Sequence, residues 1–247
     1  MVENIREILL GGQTFSWKEV EPGVFKSALN EHVYTVTKLE DAYKDDFLRR
    51  YFDLDYDYDK ARREIAQKDD ILKEAVALTG PIRILKQDEW TATISFILSQ
   101  NNNIKRISSL YNKLSMSYGH EIEPGWFTFP TSEELKKATE ESLRELGVGF
   151  RAPFILDAVR NASILEEVKS LDFDSAMERL QTIKGIGPKV ASCILIFGYG
   201  RREGFPLDVW MKKVMANYYP DKSVDYFAPH QALSQQYLFS WIRAKES

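Results

Sequence analysis

The segment TIKGIGPKVASCILIFG, from Thr182 to Gly198, places two glycines ahead of an almost entirely apolar stretch. Gly185 and Gly187 permit a tight turn, because glycine adopts backbone angles that other residues rarely reach. The preceding stretch FDSAMERLQTI and the following KVASCILIFG have the length and apolar spacing of helices. The order of helix, glycine turn and helix predicts a helix-hairpin-helix motif.

Such a hairpin is suited to holding a DNA phosphate, since free backbone amides open its second helix. These contacts position a protein on DNA without reading sequence. The formal net charge of the chain is -4, yet residues 181–222 contain seven Lys or Arg and three Asp or Glu. Residues 40–74 instead contain twelve acidic and eight basic residues. The local basicity favours phosphate binding, and the alternative is a plain turn between two helices.

Lys189 lies in the first turn of the second helix, where the positive end of the helix dipole disfavours a charged ammonium. A neutral amine is a nucleophile. Cys193 follows four residues later, which places it on the same helix face and at the border of the same pocket. The alternative is that Lys189 is a solvated cation making a long-range phosphate contact.

Asp208 follows GFPL and precedes the helical pattern VWMKKVMANYY, so its carboxylate suits a helix N-cap. Capping alone is one interpretation. The other joins Asp208 to Lys189, because a carboxylate and an amine can together cleave a glycosidic bond. The carboxylate stabilises the oxocarbenium-like charge, and the amine captures the sugar carbon as a Schiff base.

The rest of the chain predicts a mainly α fold with a small N-terminal β segment. Residues 1–40 are interpreted as the β-rich segment, with strands in FSWKEV and VYTVT, and residues 41–247 as the helical domain. The pattern YDKARREIAQKDDILKEAVAL indicates one helix ending near Gly80. Asp88 is placed to cap the apolar helix EWTATISFILSQ, which the Asn run NNN interrupts.

Composition excludes several classes of protein. The 247 residues, 44% hydrophobic and 28% charged, are typical of a soluble globular protein. The start MVENIREILL predicts no signal peptide, and no run approaches the roughly 20 apolar residues of a membrane span. The single cysteine excludes an intrachain disulfide and a four-cysteine metal cluster, and the three histidines, His32, His120 and His230, are scattered. We expect no metal, no cofactor and a cytoplasmic location.

With these residues in view, GIGPKVASC and FPLDVW resemble the hairpin and catalytic aspartate of the 8-oxoguanine DNA glycosylase/lyase (OGG) family. The resemblance continues through GGQTFSW, SQNNNIKRI, LGVGFRA and QQYLFS in the family's order, over nearly the whole chain. It implies the helix-hairpin-helix DNA glycosylase fold and a monomer acting on double-stranded DNA, associated with the nucleoid if the source is prokaryotic. The enzyme would excise 8-oxoguanine, preferably opposite cytosine, and cleave the abasic strand by β-elimination. Lys189 would form the Schiff base, and Asp208 would assist base loss.

The resemblance also implies a set of base-recognition residues. Gly12 matches the glycine whose carbonyl accepts the N7 hydrogen that 8-oxoguanine has and guanine lacks. Cys193 and Phe239 resemble the two residues that sandwich the flipped base. Gln235, one turn before Phe239, matches the residue that binds the Watson–Crick edge. Taken alone, Phe239 is a core residue and Gln235 a surface amide.

A second implied set contacts the DNA around the flipped base. Asn101 resembles the asparagine that fills the vacated stack, and Phe150 the aromatic wedge. Arg106 and Arg151 resemble the arginines that read the orphaned cytosine. Flipping leaves a hole that some side chain must fill, and arginine can bind an acceptor-bearing base edge with two hydrogen bonds. The alternatives are a polar helix cap for NNN and a core position for Phe150.

Two features depart from the family. The β segment is shorter than the N-terminal domain of eukaryotic members, and Trp210 stands where those members carry a histidine. Two other functions remain open. One is a helix-hairpin-helix glycosylase for another damaged base, such as an alkylated purine, although Lys189 disfavours enzymes that rely on the aspartate alone. The other is a non-catalytic DNA-binding module that grips the backbone.

Overall fold

The computed structural model describes residues 3–246 and is mainly helical, with a small antiparallel sheet near the N-terminus, which confirms the predicted fold class. The strands are β1 (Lys18–Glu21), β2 (Val24–Leu29), β3 (His32–Val36), β4 (Glu121–Glu123) and β5 (Trp126–Phe127). The helices are α1 (Ile5–Leu10), α2 (Asp46–Tyr51), α3 (Tyr58–Ala66), α4 (Asp70–Thr79), α5 (Glu89–Leu98), α6 (Ile104–Tyr118), α7 (Ser132–Leu135), α8 (Glu140–Glu145), α9 (Ala152–Arg160), α10 (Ile164–Val168), α11 (Phe173–Leu180), α12 (Pro188–Phe197), α13 (Val209–Tyr218) and α14 (Gln231–Lys245).

The N-terminal sheet has the strand order β1-β2-β3, and both pairings are antiparallel. The prediction of strands in the first forty residues is wrong for the short helix α1. Asn4 caps that helix by accepting a hydrogen bond from the Glu7 amide, and Ile8 and Leu9 bury its apolar face. The middle strand β2 was not predicted, because its sequence VFKSAL lacks a strict apolar alternation.

The single helix predicted for YDKARREIAQKDDILKEAVAL is two helices, α3 and α4. Asp69 separates them because its backbone is extended (φ -161°, ψ 170°) and its side chain accepts a hydrogen bond from the Leu72 amide. An N-cap residue has non-helical backbone angles, so the first helix cannot run through it. The predicted end at Gly80 is confirmed: α4 stops at Thr79, and Gly80 has a φ of +73°.

Two buried helices, α5 and α12, form the centre of the molecule. They run antiparallel, because the Gln87 amide before α5 donates to the Phe197 carbonyl at the end of α12 at 2.7 Å. The Phe96 and Phe197 rings stack between them with centroids 5.2 Å apart. This pairing brings the C-terminal end of α5 to the N-terminal end of α12, where Lys189 lies.

The hairpin between α11 and α12 packs on α9. Gly185 has a φ of +86°, and a Cβ there would lie 2.2 Å from Cγ of Phe154 on α9. Only glycine fits this approach. The Lys184 amide also donates to the Asp157 carboxylate at 2.8 Å. Within residues 3–246, no helix is long and apolar enough to cross a membrane.

Candidate active site

A cavity of about 840 Å³ opens where the hairpin, the start of α13 and the end of α14 meet the loop after α5. Six of the twelve predicted site residues line it: Gly12, Asn101, Gly187, Lys189, Asp208 and Phe239. The other six lie outside its lining: Arg106, Phe150, Arg151, Gly185, Cys193 and Gln235. The fold therefore gathers residues that are far apart in the sequence around one space.

Lys189 enters the cavity from the first turn of α12. Its Nζ donates a hydrogen bond to the Ser99 hydroxyl at 3.2 Å. The same nitrogen lies 5.6 Å from the centroid of the Phe96 ring, within range of a cation–π interaction. The amine is thus held against the end of α5 while it remains in the lining of the cavity.

Asp208 is the N-cap of α13, and its carboxylate accepts a hydrogen bond from the Met211 amide at 2.8 Å. Burial raises the pKa of this carboxyl, while the amides of Met211 and Trp210 and the charge of Lys189 act in the opposite direction. Within residues 3–246, Lys189 and Asp208 do not form an ion pair. The two groups interact electrostatically across the cavity and both stay accessible to a ligand.

Gly12, in the loop after α1, also lines the cavity. Its φ is +104°, and a Cβ would lie 3.2 Å from Cδ1 of Ile104 and 3.7 Å from Cε1 of Phe239. A side chain at this position would be strained and would narrow the cavity. The Arg243 guanidinium lies 4.6 Å from the centroid of the Phe239 ring and donates to the Glu7 carboxylate at 2.6 Å. Arg243 thereby braces the ring from its side of the cavity.

Cys193 and Gln235 lie behind the cavity wall, since both are 3% exposed. Burial raises the pKa of the Cys193 thiol, and the nearby Lys189 amine acts against that shift. Gln235 accepts a hydrogen bond from the Gln236 side-chain amide at 2.6 Å. Each residue is one helical turn from a residue of the cavity lining, Cys193 after Lys189 and Gln235 before Phe239.

Arg151 holds the loop that carries Asn101. It is 3% exposed and donates to the carbonyls of Gln100 at 3.0 Å and Asn101 at 3.2 Å. Burial, together with the positive charge of Arg106, lowers the pKa of its guanidinium. Asn101 has a φ of +47°, and it is exposed at the rim of the cavity. Arg151 therefore fixes the backbone of that loop.

Phe150 and Arg106 lie at the surface beside this loop. Phe150 is 45% exposed and packs edge-on against Phe154, with ring centroids 6.1 Å apart. Arg106 is exposed, and it makes a long hydrogen bond of 3.3 Å to the Gly147 carbonyl. Gly187 is the N-cap of α12, and a Cβ there would meet nothing within 4 Å. All three residues are exposed, and Gly187 also lines the cavity.

Among the lining residues that sequence reasoning missed, four lie next to predicted site residues: Phe96, Ser99, Ile104 and Arg243. Only Arg243 had a detectable signal, because it follows Phe239 by one helical turn. The other three depend on how α5 and α6 meet α12. Across residues 3–246 the structure contains no group of three or more His, Cys, Asp or Glu side chains that could hold a metal ion.

The chain is similar to known DNA repair proteins in sequence and in fold. Residues 2–92 match the 8-oxoguanine DNA glycosylase N-terminal domain, and residues 94–234 match the HhH-GPD superfamily base excision DNA repair protein family. The chain is 37% identical over 152 residues to an N-glycosylase/DNA lyase of Saccharomyces cerevisiae, covering 54% of this chain and 40% of the relative. It is 29% identical over 194 residues to a probable N-glycosylase/DNA lyase of Methanothermobacter thermautotrophicus, covering 64% of this chain and 62% of the relative. The matched regions thus span less than two thirds of these curated relatives.

Solved structures match the chain almost end to end. One of them is the Clostridium acetobutylicum 8-oxoguanine glycosylase/lyase in complex with double-stranded DNA containing cytosine opposite 8-oxoguanine. The TM-score is 0.89 at 32% identity, with 99% of this chain and 93% of the other covered. The chain belongs to the HhH-GPD superfamily of base excision DNA repair proteins and, within it, to the family of 8-oxoguanine DNA glycosylases.

Proposed function

We propose that the protein is a bifunctional DNA glycosylase and abasic-site lyase. It excises 8-oxoguanine from double-stranded DNA, preferably opposite cytosine, and then cleaves the abasic strand. The observation that carries this proposal is that Lys189 and Asp208 line one cavity with Gly12 and Phe239, directly beside the hairpin. A non-catalytic module that only binds the DNA backbone does not require an amine and a partly buried carboxylate in such a cavity.

The first chemical step breaks the bond between C1′ of the deoxyribose and N9 of the base. The Asp208 carboxylate stabilises the positive charge that develops on the sugar, and the base leaves with the bonding electrons. The lone pair of the Lys189 amine then forms a bond to C1′. The proton released by the amine neutralises the departing base.

Strand cleavage follows from the bond between Lys189 and C1′. The C1′–O4′ bond breaks, the ring oxygen takes a proton, and the nitrogen lone pair forms the protonated imine. This electron sink lets a proton leave C2′ while the C3′–O bond breaks and the 3′ phosphate departs. Water then hydrolyses the imine and regenerates the amine.

DNA must present the damaged base outside the duplex, which costs a few kcal/mol of unstacking. We assign Asn101 to the vacated position in the stack and Phe150 to the neighbouring wedge, since both are exposed and Asn101 lines the cavity. Arg106 and Arg151 are assigned to the orphaned cytosine. Arg106 needs to give up only the long bond to Gly147, whereas Arg151 must share donors that now bind loop carbonyls.

The base itself would be recognised around Gly12. We propose that the Gly12 carbonyl accepts the N7 hydrogen, that Phe239 and Cys193 lie on either face of the base, and that Gln235 binds its Watson–Crick edge. The buried positions of Cys193 and Gln235 imply that the base enters more deeply than the present cavity. Backbone amides after Gly185 and Gly187 would hold a phosphate.

The remaining assignments concern the whole protein. We propose that it acts as a monomer on double-stranded DNA in the cytoplasm, associated with the nucleoid in a prokaryotic source. We also propose the division into a β-rich segment of residues 1–40 and a helical domain of residues 41–247. The proposed activity uses no cofactor and no membrane.

Borohydride trapping tests this function. Duplexes carry 8-oxoguanine or guanine opposite each of the four bases, and the proteins are wild type, Lys189→Gln and the hairpin control Lys184→Gln. We expect a covalent adduct with 8-oxoguanine, strongest opposite cytosine, in wild type and Lys184→Gln only. Excision without an adduct would indicate a monofunctional glycosylase, and no excision would indicate another damaged base or a binding module.

A further inference from the structure

Ser99 contacts the amine that the proposed function assigns as nucleophile. It is the C-cap residue of α5, directly opposite the N-terminal end of α12, and it lines the cavity. Its hydroxyl donates to the Phe96 carbonyl at 2.7 Å, so its only hydrogen is committed. The hydroxyl oxygen is left as an acceptor, and Lys189 Nζ donates to it at 3.2 Å.

The groups around this contact offset the unfavourable interaction of Lys189 with the dipole of α12. The backbone of Lys189 lies at the positive end of that helix dipole, but its amine reaches the C-terminal end of α5. Carbonyl groups at a helix C-terminus carry partial negative charge and favour a cation. The face of the Phe96 ring adds a second attraction on the same side.

These contacts keep the amine and the carboxylate apart. A lysine in an ion pair with Asp208 would offer neither a free lone pair to C1′ nor a free carboxylate to the sugar cation. In this structure the amine donates to Ser99, and it forms no ion pair with Asp208 within the described residues. The space between the two groups remains open to the sugar.

Resting on the proposed function, we propose that Ser99 is a positioning residue for Lys189. Its hydroxyl accepts one N–H of the amine and fixes Nζ on the α5 side of the cavity, so that the lone pair faces the position of C1′. Ser99 itself neither bonds to the substrate nor exchanges a proton with it. A purely structural role, in which the hydroxyl only closes the end of α5, would leave the amine unaffected.

The test compares Ser99→Ala, Ser99→Thr and the control Ser95→Ala. Ser95 lies one turn earlier on α5, and its buried hydroxyl has no hydrogen-bond partner within the described residues, so its truncation removes the same atom without touching Lys189. Single-turnover rates of borohydride adduct formation are measured on a preformed abasic site opposite cytosine at saturating DNA. Parallel reactions use the 8-oxoguanine duplex.

We expect Ser99→Ala to lower the maximal trapping rate about tenfold or more, the size of one lost hydrogen bond. Ser99→Thr restores the rate, because its hydroxyl again offers Lys189 an acceptor, and Ser95→Ala behaves as wild type. DNA affinity and melting temperature stay within the range of the control.

Two results would overturn the proposal. One is a wild-type trapping rate in Ser99→Ala, and the other is a slow Ser99→Ala that threonine does not rescue. Failure of the proposed function is separate, because it shows in the wild type as absence of an adduct on both the abasic and the 8-oxoguanine duplex. Adduct on the abasic duplex alone would change the damaged base and leave the positioning of Lys189 in place.

Discussion

Lys189 and Asp208 line the same cavity, yet the lysine amine donates a hydrogen bond to the Ser99 hydroxyl. Within residues 3–246 it forms no ion pair with the carboxylate. The two groups are instead held by different elements, Lys189 by Ser99 at the end of α5 and Asp208 by the first turn of α13. The separation leaves both groups available to a sugar that enters between them. The geometry suits an enzyme that needs a nucleophile and an electrostatic stabiliser at the same carbon.

Replacing Asp208 separates its two roles. Asn is as good an N-cap as Asp, so Asp208→Asn keeps α13 stable but removes the negative charge. We predict a fall in 8-oxoguanine release of about 10²-fold or more, the magnitude typical of losing one preorganised electrostatic contact. Asp208→Ala loses the cap as well and costs about 1 kcal/mol of stability. Base release and thermal unfolding are measured on both variants, and wild-type excision by Asp208→Asn would remove Asp208 from the mechanism.

The acid limb of the excision rate should belong to Asp208. Burial raises the pKa of this carboxyl above the ordinary value of 3.8. As the pH falls through the raised pKa, the carboxylate is protonated and no longer stabilises the sugar cation. We predict that excision declines at a pH above the range of an exposed aspartate, and that the residual activity of Asp208→Asn lacks this limb. If excision by Asp208→Asn declined at the same pH as in wild type, the decline would be due to another group.

The same shift affects stability, with the opposite pH trend. A carboxyl whose pKa is raised by folding binds more protons in the native state than in the unfolded state. Its contribution to stability is therefore fully present below the ordinary pKa and is lost as the pH rises through the raised value. Denaturant unfolding of wild type and Asp208→Asn across that window should show this difference, and parallel stability curves would contradict it.

The two hairpin glycines should respond differently to alanine. At Gly185 a Cβ meets Phe154 at 2.2 Å on a backbone with positive φ, and we predict a loss of about 2 kcal/mol or more. At Gly187 a Cβ meets nothing within 4 Å and φ is -96°, so the predicted loss is about 0.5 kcal/mol. Gly187→Ala should nevertheless weaken DNA binding, since its Cβ stands where a phosphate would approach the amides. Urea unfolding and DNA titration distinguish the two effects, and equal stability losses would contradict the hairpin packing.

The two arginines assigned to cytosine should also differ. Arg106 is exposed with one long hydrogen bond, so Arg106→Ala should leave the melting temperature unchanged and reduce the preference for cytosine. Arg151 is buried and bonded to the carbonyls of Gln100 and Asn101. Arg151→Ala should therefore cost about 1–3 kcal/mol of stability, because those carbonyls lose their donors. Excision rates opposite all four bases check the first expectation, and unfolding curves check the second.

Local sequence signals accounted for the parts of the site that belong to one helix end. The glycine turn indicated the hairpin, and the aspartate before VWMKKV indicated a cap, which the bond from Met211 to Asp208 confirms. The contact between Ser99 and Lys189 had no such signal, because the two residues are 90 positions apart and meet only through the packing of α5 on α12. Helical spacing placed Cys193 on the face of Lys189, but spacing does not determine depth below the surface.

The fold was also predictable where local sequence signals determine it and not where tertiary contacts do. The helical pattern was sufficient for the long central and C-terminal helices, whereas the break before α4 was missed. The signal for that break was present in Asp69, which caps the next helix, but the apolar period runs through it on both sides. The strand β2 depends on pairing with both neighbours in the sheet, and a single strand sequence does not show its partners.

The most direct test of the central claim is to locate the covalent bond. The wild-type protein is trapped with borohydride on a duplex carrying 8-oxoguanine opposite cytosine, digested, and mapped by mass spectrometry. The account predicts that the sugar remnant is attached to the peptide containing Lys189 and to no other. Attachment to Lys184, to another lysine or to the N-terminal amine would contradict it.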